Sequence, residues 1–167
     1  MINKILKQNL NIFFLTFCFI GVCGSYFMEY FLEYEPCIIC LIERYILIFI
    51  TSLTFSLLFF KHKKMIIKTI LTISSLLAIL ALYLNIRLIW LQNLPKDNIP
   101  PCLPPLEYML DNFSIIKILQ NIFTMHGDCS NAEYIFGVSI AWWTVSLFVV
   151  ILSYNIYRLF FEKSHNK

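Results

Sequence analysis

Four stretches without a single charged residue decide what this chain can fold into: Gln8–Met28, Tyr45–Phe60, Thr69–Ile86 and Tyr134–Tyr157. A helix needs roughly 20 apolar residues to cross the hydrocarbon core, with some allowance where flanking polar groups reach back to the interface. The first and last stretches have that length. The second reaches it when Leu41–Arg44 form an interfacial first turn, and the third when it runs on through Arg87 to Leu91. Neither of those two contains glycine or proline, so nothing in them breaks a helix. Composition agrees, because 59% hydrophobic and 14% charged residues leave too little polar surface for a soluble domain of 167 residues. The expected fold is all-α, a single membrane domain over residues 1–167 with a four-helix transmembrane bundle spanning at about 10–28, 41–60, 66–91 and 138–160. The net charge of +3 comes without a basic stripe interleaved with aromatics, so nucleic acid is not expected as a partner.

Lys4 and Lys7 precede the first apolar run, as in a signal sequence, but no small-residue cleavage pattern follows it. The residues before Cys18 and Cys23 are Phe17 and Val22, which do not suit a lipoprotein signal. The first span is therefore expected to stay in place. Nine of the thirteen basic residues fall at three places: Lys4 and Lys7; Lys61, Lys63, Lys64 and Lys68; and Arg158, Lys163 and Lys167. With four spans these places share one side, and the positive-inside bias makes it cytoplasmic. Both termini are then cytoplasmic, and segments 29–40 and 92–137 lie on the outer side. Trp90, Trp142 and Trp143 fall where spans three and four meet that outer surface, as an aromatic belt does.

The six cysteines divide accordingly. Cys18 and Cys23 lie inside the first span, five residues apart and so on different helix faces. Both are expected to be small buried hydrophobes. Cys37, Cys40, Cys102 and Cys129 are all on the outer side, which in a bacterial cell is the compartment where disulfides persist. Cys37-Ile38-Ile39-Cys40 stands at the membrane surface directly before the second span, with Pro36 fixing its approach. Cys40 then falls in the first turn of a helix, whose unpaired N–H groups and positive dipole end suit an anion. Arg44, four residues on, shares its face. Both effects favour the thiolate. A thiolate held at that depth can donate electrons to a lipid-soluble acceptor, although a static disulfide with a snorkelling Arg44 would look the same in sequence. Zinc is disfavoured, because Cys102 and Cys129, with 26 residues between them, do not repeat the C-x-x-C of a zinc ribbon.

Cys102 is flanked by Pro100, Pro101, Pro104 and Pro105, which hold the strip extended and ready to lie in another protein's groove at low ordering cost. Ser114–Phe123 places Ile115, Ile118, Leu119 and Ile122 at helical spacing, a short amphipathic helix expected to lie on the bilayer and keep the outer loop close to it. His126, beside Gly127-Asp128-Cys129, is expected to be solvated.

Taken together, E-P-C-I-I-C-L-I-E-R-Y at 35–45, R-L-I-W-L-Q at 87–92, the cysteine at 102, G-D-C-S at 127–130 and the aromatic approach to the last span resemble the bacterial disulfide bond formation protein B family, DsbB, over nearly the whole chain. The resemblance implies a quinone-dependent protein thiol:disulfide oxidoreductase of the inner (cytoplasmic) membrane, multi-pass, with a long periplasmic loop. Such a protein reoxidises a periplasmic DsbA-like dithiol oxidase and passes the electrons to ubiquinone or menaquinone. It implies further that Cys102, paired with Cys129 at rest, is attacked by the reduced partner, and that Cys37 and Cys40 form the membrane-proximal disulfide, Cys37 exchanging with Cys129. Cys40 would face the quinone, Arg44 would position it, and Gln92 matches a family position near its ring. Two positions depart from the family pattern: Leu88 stands where histidine is common, which puts a proton relay there in doubt, and Ala141 where proline is common.

Two other readings compete. A vitamin K epoxide reductase-type protein also uses four helices and four cysteines, but in that family the C-x-x-C follows the loop cysteines, and here it precedes them. A membrane scaffold with two structural disulfides would need neither quinone nor Arg44.

Overall fold

The computed structural model describes residues 2–33, 37–60, 63–93, 108, 111–117, 120, 134–135 and 137–164, with side chains described from residue 9 to residue 160 within that set. Four long helices carry it: α1 (Ile2–Phe31), α2 (Ile38–Phe59), α3 (Lys64–Gln92) and α4 (Ile140–Ser164). Each includes a segment long and apolar enough to cross a membrane: Asn9–Phe31, Ile38–Phe59, Lys64–Gln92 and Ile140–Phe160. The architecture is the expected all-α four-helix bundle, and the chain is a multi-pass membrane protein.

Helices follow from the solvent as much as from propensity. In hydrocarbon every backbone N–H and C=O must find a partner within its own segment, which an α-helix provides. The hydroxyls obey the same requirement. Thr51, Thr54, Thr69, Thr72, Ser75 and Thr144 each donate to the carbonyl four residues earlier, at 2.7–3.0 Å, instead of needing water. At the end of α1, Glu33 takes a left-handed φ of 52° that turns the chain away from the helix. Asn93 closes α3, its side chain donating to the Ile89 carbonyl at 2.7 Å.

Contacts along the helices give an up-down-up-down arrangement. Arg44 near the start of α2 bonds to Glu29 near the end of α1, and Asn155 late in α4 bonds to Ser74 early in α3. Tyr154 of α4 donates to Asn11 of α1 at 2.6 Å and stacks on Phe14 with ring centroids 3.7 Å apart, closing the ring of helices. The core draws on all four: Phe14 and Cys18 from α1, Ile46, Leu47 and Ile50 from α2, Ala78, Ala81 and Leu84 from α3, and Phe148 and Ile151 from α4. On α3 the buried face is Ser74, Ala78, Ala81 and Asn85, at spacings of four, three and four. Small residues at that period let α4 approach closely, which is how helices pack where lipid gives no hydrophobic drive between them. Leu57, Ile67, Ile70 and Leu71 form a second cluster at the end remote from Cys37. Outside, Phe13, Phe27, Phe55, Met65 and Phe160 stand exposed, an apolar exterior that fits lipid and not water.

Cys18 is fully buried in the core, as expected, but Cys23 is exposed. Five residues at about 100° each turn the second cysteine about 140° away from the first, onto the outer face of α1. The expectation that both are buried packing residues holds for Cys18 alone. Before α4, a two-stranded hairpin pairs Tyr134 with Ser139 and Ile135 with Val138, with Gly137 at φ 80° in its turn. In the segment expected to be amphipathic, residues 115–117 and 120 are helical and Ile115 and Ile116 are exposed; 118, 119 and 121–123 lie outside the described residues.

Candidate active site

Cys37 is the N-cap of α2, with extended backbone at φ −64° and ψ 162°, and its carbonyl accepts the first helical bond from Leu41 N–H at 3.0 Å. Cys40 is then the third residue of the helix. One residue outside and three inside the first turn brings the two side chains together: the sulfurs are 3.0 Å apart. Both are half-buried against the core cluster. The open N–H groups of the first turn lie around them, and no acidic residue occupies that turn to compete for the positive end of the helix.

One turn further, Arg44 is 8% exposed and reaches across to α1. Its Nε donates to Ser25 Oγ at 2.7 Å, its Nη2 to the Ser25 carbonyl at 3.3 Å, and its Nη1 to Glu29 Oε2 in an ion pair. The Tyr26 ring lies 4.7 Å from the guanidinium carbon. Three of the five guanidinium N–H groups are thus engaged among the described residues, leaving one on each terminal nitrogen for another acceptor.

The residue before Arg44 faces the other way. Glu43 is 4% exposed, and its carboxyl is hydrogen-bonded by the side chain of Asn85, itself fully buried on α3. Oε1 of Glu43 and Oδ1 of Asn85 have no hydrogen-bond partner. Cys37 is near enough for a charge on either group to act on the other. Sequence reasoning gave Glu43 no role, although it stands inside the E-R pair at 43–44. The signal was available: an ionisable side chain on a helix that crosses a bilayer is costly and therefore usually functional. Glu29 and Ser25 were missed for another reason, since their partner lies on a different helix.

Gln92 is the last residue of α3 and lines a cleft of about 300 Å³ with Ile89, Tyr134, Val138 and Trp142, between α3, the hairpin and the start of α4. Neither Cys40 nor Arg44 lines that cleft. The structure thus groups Cys37, Cys40 and Arg44 at the start of α2 and sets Gln92 at the end of α3. Cys102, Cys129, their expected pairing, the proline strip and His126 lie outside the described residues. Leu88 and Ala141, where the family pattern differs, are both buried in the core.

The family model described as "Disulfide bond formation protein DsbB" matches residues 7–157. A protein of Psychrobacter arcticus named "Disulfide bond formation protein B" is 30% identical over 155 residues, covering 91% of this chain and 88% of its own length. Its namesake in Hahella chejuensis is 32% identical over 147 residues, covering 84% and 87%. Another in Acinetobacter baylyi is 30% identical over 144 residues, covering 84% and 83%.

Proposed function

This chain belongs to the DsbB family of disulfide bond formation proteins, and from that premise we propose that it reoxidises a DsbA-like dithiol oxidase on the outer side of the bacterial inner membrane and passes the electrons to a membrane quinone. The observation that carries the reading is the Cys37–Cys40 pair at the start of α2, its sulfurs 3.0 Å apart, with a buried arginine one turn away. A structural pair would need no cation there.

Each transfer is thiolate attack on a disulfide sulfur, so it needs an accessible attacker and a stabilised leaving thiolate. In this reading the partner attacks Cys102 of the Cys102–Cys129 disulfide, Cys129 then exchanges with Cys37, and Cys40 leaves as the thiolate. The helix N-terminus holds Cys40 in that form, and Arg44 adds its charge. A strongly oxidising partner can be reoxidised only by a better acceptor, since about 30 mV corresponds to roughly 1.4 kcal/mol for a two-electron couple. A quinone supplies that acceptor, taking up two electrons and two protons.

The residues at this end of the bundle fit such a group. Arg44 keeps two N–H donors for a carbonyl oxygen among the described residues, and its guanidinium is already fixed by Ser25, Glu29 and Tyr26. Gln92 offers an amide beside apolar walls. Arg44 and Gln92 are the proposed quinone ligands. Whether one head group touches both is decided by cross-linking a photoreactive quinone and mapping the labelled peptides.

The test of the exchange order uses Cys129→Ser. Without its resolving thiol, the mixed disulfide between Cys102 and the partner is stranded, so a covalent adduct with a DsbA-like protein accumulates and is identified by mass. Adducts that form through Cys37 while Cys102 is intact would reverse the proposed order.

A further inference from the structure

The dithiol lies between two charged groups of opposite sign that point in opposite directions. From Cys40, Glu43 is three residues on and Arg44 four, so both flank it on the helix surface. Arg44 leans to α1, where Ser25 and Glu29 hold it. Glu43 leans to α3, where the Asn85 side chain is its hydrogen-bond partner and where its Oε1 is left open. An open carboxyl oxygen at 4% exposure is expensive, and a packed helix face could have carried leucine or glutamine in its place. Asn85 is held in turn by its own bond to the Ala81 carbonyl at 3.2 Å, which limits how far the carboxyl can swing.

Arg44 suits the sulfur that becomes a thiolate, but it cannot accept a proton. Closing the pair requires one. As a disulfide forms, the Cys37 S–H bond breaks and the sulfur's electron pair makes the bond to Cys40. The pair gives up two electrons to the oxidant, and the Cys40 proton has already gone to water at the helix end. The Cys37 proton has no water beside it to leave on, since the sulfur is packed against the apolar core.

We propose that Glu43 is the proton carrier for Cys37, its open oxygen taking the thiol proton when Cys37 closes on Cys40 and returning it when that bond opens. The assignment rests on the proposed function for its biological oxidant, a quinone, but not for its chemistry. The other ionisable groups at this end are accounted for. On α1, Glu29 is committed to Arg44, and on α2, Cys40 and Arg44 form the other half of the site. Arg87 of α3 lies two residues beyond Asn85 and so projects from a different side of that helix. The outer half of α4 has no ionisable side chain from Ile140 to Ser153.

The test follows closure of the reduced Cys37–Cys40 pair by diamide in the quinone-free, full-length protein. Cys102 and Cys129 are replaced by serine so that exchange within the chain does not contribute. Parent, Glu43→Gln and Glu43→Asp are compared across pH, with trapped thiols counted by mass and helix content checked by circular dichroism. Glu43→Gln is expected to close about 100-fold more slowly near neutral pH, the lower end of what a placed proton acceptor supplies. Its rate should rise about tenfold per pH unit, as hydroxide replaces the carboxylate, and meet the parent's at alkaline pH. Glu43→Asp, with the carboxyl on a shorter arm, recovers part of the rate. Infrared difference spectra between oxidised and reduced protein should carry a carboxyl signal that Glu43→Gln lacks. Parental rate and pH slope in Glu43→Gln would overturn the proposal. So would equal slowing in both variants with the parental slope and no carboxyl signal, which would assign Glu43 to packing. Because diamide stands in for quinone, a parent that closes with diamide but never reduces quinone would defeat the proposed function and leave this test intact.

Discussion

Replacing Arg44 by alanine removes the one side chain that ties α1 to α2 at the cysteine end and holds a cation beside Cys40. Its three hydrogen bonds are unequal. The bond to Ser25 Oγ at 2.7 Å is short, the one to the Ser25 carbonyl at 3.3 Å is weak, and the ion pair has a partner, Glu29, that is 30% exposed. Breaking a fully buried pair costs about 3–5 kcal/mol. Exposure of Glu29 lowers that, because water or lipid head groups can take over the carboxylate, and the expected loss is roughly 2–3 kcal/mol. Reversible unfolding of the purified protein in mixed micelles measures it. The same change should raise the Michaelis constant for quinone roughly 10- to 100-fold, the worth of one charge-assisted hydrogen bond at about 1.5–3 kcal/mol. Glu29→Gln separates the two effects: it weakens the helix tie yet leaves the guanidinium in place, so quinone dependence should stay near the parent's. Lysine at 44 should restore only part of either, since it keeps charge without the planar fork. Unchanged stability together with unchanged quinone dependence in Arg44→Ala would refute the argument and leave Arg44 an interfacial anchor.

Two further outcomes test the packing and the topology. A Cβ at Gly21 would come within 2.7 Å of Leu147 Cδ1 and 3.3 Å of Leu47 Cδ2, so Gly21→Val should push α1 from α4 and α2 and cost about 1–3 kcal/mol in the same unfolding assay, while Gly21→Ala is nearly absorbed by rotation of Leu147. Thiol reagents confined to the outer side should label Cys37, Cys40, Cys102 and Cys129 after reduction, and buried Cys18 should resist labelling; modification of any of those four from the cytoplasm would overturn the four-span orientation.

The fold was legible because it is set by length and hydropathy, which sequence carries directly. Four uncharged runs become four helices, and the C-x-x-C before the second run becomes an N-cap and a first turn with the sulfurs together. What stayed hidden is how each helix is turned about its own axis. A helix apolar on all sides, such as α3, shows no stripe that points inward, so its buried face of Ser74, Ala78, Ala81 and Asn85 emerges only from packing. The same ambiguity concealed the exposure of Cys23, the commitment of Arg44 to Ser25 and Glu29 on α1, and the pairing of Glu43 with Asn85 on α3. Polar residues within spans were the available clue, because each must find a partner across a helix boundary, and Asn155 with Ser74 at 2.8 Å obeys the same rule.

The central claim is that electrons entering at the outer cysteines leave on a quinone through Cys40. It is tested most directly by mixing the purified protein with a reduced DsbA-like dithiol protein and a soluble quinone, and following loss of quinone absorbance. The account predicts one quinone reduced per partner disulfide formed, with turnover abolished in Cys40→Ser and in Cys102→Ser. Partner oxidation that proceeds without quinone consumption, or quinone reduction that survives the loss of Cys40, would contradict it.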